Sequence, residues 1–93
     1  MIRHNLTDLT DGDDADFQRV IITIVSPDGG RANFRMGIDQ QMIHCMRAYS
    51  ERQRVHISMF KFTLRDLVVY DNHTPTDLGI VRSAIIRATL YPQ

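Results

Sequence analysis

Residues 71–80 read DNHTPTDLGI, and this decapeptide decides between two folds for the chain. Thr74 can cap a helix start, and Pro75 beside it needs no N–H partner and brings a preset φ. Asp77 falls three residues after the cap, where its charge faces the open N–H groups of the first turn. Leu78 is followed by Gly79, which can take the left-handed conformation that ends a helix, and then by the apolar Ile80. The stretch encodes one helical turn with a start and a stop. It leaves no room for a second long helix late in the chain.

Working outward, AIIRATLY (84–91) reads as a closing strand, and FKFTL (60–64) alternates with Phe60, Phe62 and Leu64 inward. LVVY (67–70) is a short strand between them. Upstream, RVIITIVS (19–26) has the β-branched content of a buried strand, and PDGG (27–30) supplies turn chemistry. In RANFRMG (31–37), Ala32, Phe34 and Met36 share one face, while Arg31, Asn33 and Arg35 share the other. Asp39 is placed to cap a helix running to about Gln53, on which Met42, Cys45, Met46 and Tyr49 recur at helical spacing. The order is strand, strand, helix, strand, strand, helical turn, strand. A ferredoxin-like arrangement needs a second full helix, so the pattern predicts an α+β β-grasp fold: a mixed sheet, one main helix, and the first and last strands as central parallel neighbours.

Composition sets the outer limits. The chain has 93 residues, 43% hydrophobic and 24% charged, which suits a single folded domain rather than wholesale disorder. Net charge is zero, but it is unevenly spread: residues 1–16 carry five aspartates against Arg3, and residues 17–93 carry ten bases against six acids. Residues 1–17 therefore read as a disordered acidic N-terminal arm, and residues 18–93 as the domain. Arginine supplies ten of the eleven bases, which favours bidentate contact with carboxylates or phosphates. Cys45 is the only cysteine, so no internal disulfide forms and a reducing compartment is expected. No apolar run is long enough for a membrane span.

The motifs YSERQRV (49–55), FKF (60–62) and DNHTPTDLGI, followed by a terminal strand, closely resemble the small ubiquitin-related modifier (SUMO) family, in order and nearly without gaps over residues 18–91. The resemblance implies a ubiquitin-like fold, partners that carry SUMO-interacting motifs, and a nuclear or cytoplasmic location. It places a peptide-binding groove beside the second strand, with Ala32, Phe34, Met36, Cys45 and Tyr49 as floor and Arg35, His44 and Arg52 as rim. An exposed strand edge can accept an extended peptide as one more strand, and a basic rim attracts the acids that flank such motifs. His44 stands where the family has a rim lysine and Cys45 where it has a larger floor leucine, so peptide binding weaker than the family norm is expected.

Other departures bear on function. The family matures to a C-terminal diglycine, whereas this sequence closes ATLYPQ (88–93). The family's acidic run for docking its conjugating enzyme aligns with VRSA (81–84), so that contact is expected to be weakened. The expectation is a monomeric, non-enzymatic, noncovalent interaction module without cofactors. One alternative is a SUMO modifier conjugated to target lysines, seen here without its diglycine. The arm's charge further suggests an internal mimic of an acidic ligand. A second alternative, a nucleic-acid-contacting adaptor using Arg31, Arg35, Arg47, Arg52, Arg54, Arg65, Arg82 and Arg87, lacks interleaved aromatics. His4, His44, His56 and His73 have no metal-ligand spacing, and Cys45 has no base in sequence to make it a nucleophile.

Overall fold

A computed structural model of the chain describes residues 6–9 and 18–92. Its strands are β1 (Leu6–Asp8), β2 (Arg19–Val25), β3 (Arg31–Gly37), β4 (Phe60–Leu64), β5 (Leu67–Val68) and β6 (Ser83–Leu90), with one α-helix, α1 (Ile43–Gln53), and a 3₁₀ turn at Ile57–Met59. They form one six-stranded mixed sheet in the order β1-β3-β2-β6-β4-β5. β2 and β6 pair in parallel at its centre, from Ile21 opposite Ser83 to Val25 opposite Arg87. This is the β-grasp arrangement.

The alternation read from the sequence is the alternation observed. Val20, Ile22 and Ile24 of β2 face Ala32, Phe34 and Met36 of β3 across an antiparallel register, and all six are buried. Phe60 and Phe62 of β4 and Ile86 and Ala88 of β6 extend the same face. α1 covers it with Cys45, Met46 and Tyr49. Tyr49 meets Phe60 and Phe62 edge-on, with ring centroids 5.2 and 6.0 Å apart. The Tyr49 hydroxyl, shut in beside the Ser26–Asp28 turn, makes no hydrogen bond of proper geometry among the described residues, and burial raises its pKa.

The decapeptide carries the punctuation its sequence encodes. The Thr74 Oγ1 accepts from the Asp77 N–H at 3.1 Å, and the Asp77 carboxylate accepts from the Thr74 N–H at 3.0 Å, a reciprocal capping box. Gly79 takes φ of +71°, and the Ile80 N–H returns to the Pro75 carbonyl at 2.9 Å. The same loop has a second task. The Met42 and Ile43 N–H groups donate to the His73 and Asp71 carbonyls at 2.7 and 3.0 Å, so the loop itself caps α1. Asp39 does not cap the helix. α1 begins at Ile43, later than the sequence suggests, and Met42 at its N-cap makes no side-chain cap bond.

Two further departures are local. β5 is shorter than LVVY implies, ending at Val68. Of the segment read as a disordered arm, Leu6–Asp8 forms β1; residues 1–5 and 10–17 lie outside the described residues.

Three stability outcomes follow from this geometry. Thr74→Ala removes the cap and is expected to cost about 1 kcal/mol, roughly 4–8 °C in the unfolding midpoint. Arg54 ends α1 at φ of +57°, and Arg54→Gly is expected to stabilise the fold by about 0.5–1 kcal/mol in denaturant titration. Burial pushes the Cys45 thiol from 9.0 up to about 12. Above pH 9 the unfolded chain has released a proton that the folded chain still holds, so this group makes stability fall as pH rises through that window. Below it, a thiol reagent should label Cys45 rapidly only in denaturant, as timed absorbance at pH 8 would show.

Candidate functional site

The sequence points to the β3 edge, and the structure shows that edge occupied by the chain itself. β1 runs parallel to β3, with Leu6 opposite Asn33, Thr7 opposite Phe34 and Asp8 opposite Arg35. β3 is therefore not an edge strand in this state. The ladder continues past β1, because the Leu9 N–H donates to the Arg35 carbonyl at 2.7 Å. Gln40 then closes the end. Its amide nitrogen donates to the Leu9 carbonyl at 3.0 Å, while its Oε1 accepts the Gly37 N–H at 2.7 Å.

Alternation along β1 sorts its side chains. Thr7, opposite Phe34, lies on the core face, and Asp8, opposite Arg35, lies on the outer face. Arg35 donates from Nε and Nη2 to one Asp8 carboxylate oxygen at 3.2 and 2.5 Å, and Arg19 of β2 approaches the same oxygen at 3.9 Å. On the core face Arg52 donates to the Thr7 hydroxyl, and its guanidinium stands 5.0 Å from the centroid of the Phe34 ring. Leu9, two residues on from Thr7, packs half-buried against the core. Arginines from β3 and α1 thus grip the added strand from opposite faces.

Each residue assigned from sequence can now be placed. Arg35 and Arg52 both contact β1, on opposite faces of the sheet edge. Ala32, Phe34, Met36, Cys45 and Tyr49 are all buried, at most 5% exposed, with β1 in place on β3. The same burial raises the Cys45 pKa, and the thiol donates to the Met42 carbonyl at 3.3 Å. His44 is exposed in the first turn of α1, about 12 Å along the axis from Arg52, and no hydrogen bond among the described residues ties it to β1. Gln40 and Arg19 were not anticipated. Gln40 sits in a turn whose shape the sequence leaves open, and Arg19 reads locally as the polar start of a strand.

Docking of the arm is energetically close to balanced. Ordering four backbone residues costs about 1–2 kcal/mol each. A handful of ladder and side-chain hydrogen bonds return roughly 1 kcal/mol apiece. Half-burial of Leu9 adds about 1 kcal/mol, and the solvent-exposed Asp8–Arg35 pair adds less than about 1 kcal/mol. The terms cancel to within a few kcal/mol, so the strand is held without being locked.

No family model matches the sequence. Among solved structures, the chain is similar to a de novo designed protein based on ubiquitin, with a TM-score of 0.71 and 12% sequence identity, over 83% of this chain and 94% of that one. The similarity concerns the fold, and together with the strand order it establishes a ubiquitin-like β-grasp.

Proposed function

We propose that the protein is a noncovalent interaction module of the SUMO type, which receives an extended apolar and acidic peptide as an added strand along β3. The observation that supports this most directly is the docked segment Leu6–Leu9. It is an extended peptide with a leucine on the core face and an aspartate on Arg35 and Arg19. Three features of that segment support the reading: a backbone ladder on β3, a leucine packed against the core, and guanidinium groups on both faces. Partners of this class are proteins that carry SUMO-interacting motifs.

The test is a two-dimensional NMR titration of the chain with a synthetic peptide bearing a Val-Asp-Val core followed by aspartates. Amide shifts are expected to concentrate in residues 31–37, with weaker changes at Gln40 and in 43–53. A peptide with the same composition in scrambled order should shift them far less. If millimolar peptide perturbs none of these amides in the native chain or in a Leu9→Ser chain, the reading is wrong.

A further inference from the structure

Nothing in the β-grasp fold requires β1. The remaining strands complete the sheet, and among the described residues every fully buried core side chain belongs to the segment from Val20 onward. β1 nevertheless occupies the one place where a ligand strand would sit, and it uses the same three devices: ladder, apolar step and carboxylate on arginine. We propose that Leu6–Leu9 is an internal competing ligand that keeps the β3 site closed until a better strand displaces it. The proposal rests on the reading of β3 as a peptide site and specifies how that site is regulated.

Two observations argue that the internal strand is displaceable by design. The first is its composition on the core face. Thr7 presents a hydroxyl opposite the Phe34 ring, satisfied by the Arg52 guanidinium, where an apolar side chain would bury more surface. A partner with valine or isoleucine at that position gains contact that the arm lacks, while an acid at the Asp8 position keeps Arg35 and Arg19 engaged. The second is tethering. Residues 10–17 join the segment to the domain, so its concentration near β3 is on the order of millimolar whatever the protein concentration. A weak strand at that local concentration closes the site most of the time, and the apparent affinity of a free peptide drops by the fraction of time the site is open.

β1 lies parallel to β3. A competing strand that uses both arginines in the same way carries its acid between two core-facing positions.

The experiment compares full-length chains by fluorescence anisotropy, using a labelled Val-Asp-Val-aspartate peptide as probe. Leu9→Ser weakens the arm without changing charge, and Asp8→Asn weakens it without changing shape. Both should bind the probe a few-fold more tightly than the native chain, and Thr7→Ile should bind it several-fold more weakly. An unlabelled peptide of residues 4–17 should compete for the Leu9→Ser chain at millimolar concentration. If native and Leu9→Ser chains bind the probe equally, the arm does not regulate the site, although the site itself stands. If neither binds, the peptide-binding reading falls and this proposal falls with it. If sedimentation shows dimers whose loss on dilution tracks loss of β1 signals, the strand docks between copies and the internal arrangement is overturned.

Discussion

Parallel pairing of β2 with β6 is the constraint from which the rest of the architecture follows. Two parallel neighbours cannot be joined by a hairpin, so the chain must leave the sheet centre, build elsewhere and return. β3 takes the first hairpin position on one side of β2, α1 crosses the face, and β4 and β5 fill the far side of β6. Both central strands then carry buried residues toward α1: Ile22 and Ile24 from one, Ile86 and Ala88 from the other. The return to the centre is where the decapeptide acts. Its capped turn ends at Gly79 and delivers Ile80 to the core, while the carbonyls of Asp71 and His73 take up the first N–H groups of α1. One short loop therefore fixes both the helix start and the entry of the last strand.

The same topology creates a problem at the opposite edge. Once β2 is paired on both sides, β3 has one row of backbone groups with no partner from the domain itself. Such edges invite strand addition, and small proteins blunt them with charge, twist or cover. Here the cover is the chain's own Leu6–Leu9. Arg35 and Arg52 make the edge basic, and the aspartate at position 8 matches it. Gln40 ends the ladder by satisfying both strands at once. The edge is thus covered through contacts to both of its faces.

Much of this was legible in the sequence because it depends on neighbours along the chain. The Thr74–Asp77 box, the Gly79 stop and the alternation of Ala32, Phe34 and Met36 are local patterns with local causes, and each appears in the structure where the residues imply it. The start of α1 was not legible. Asp39 has the chemistry of a cap, but the N–H groups at Met42 and Ile43 find carbonyls some thirty residues away, and no local rule reports a tertiary acceptor. β1 was illegible for a related reason. A short segment rich in aspartate has no propensity for a strand, and only the open backbone of β3 gives it one. The rim arginines were identifiable as basic groups beside an apolar strand, yet their division between two faces emerges only with the register of β1.

A marginal contact is the only kind of cover that can also report on a partner. An arm held by a large apolar anchor would protect β3 permanently and make the site inaccessible. An arm with no anchor would leave the edge open to nonspecific pairing. Leu9 half-buried, Thr7 bonded through its hydroxyl and Asp8 on an exposed arginine keep the docking free energy small, and under the proposed reading modest differences between strands then decide which one sits on β3. Specificity then needs no deep pocket. On the proposed reading it would arise because each incoming peptide is compared, contact by contact, with a reference strand that the protein carries at fixed local concentration.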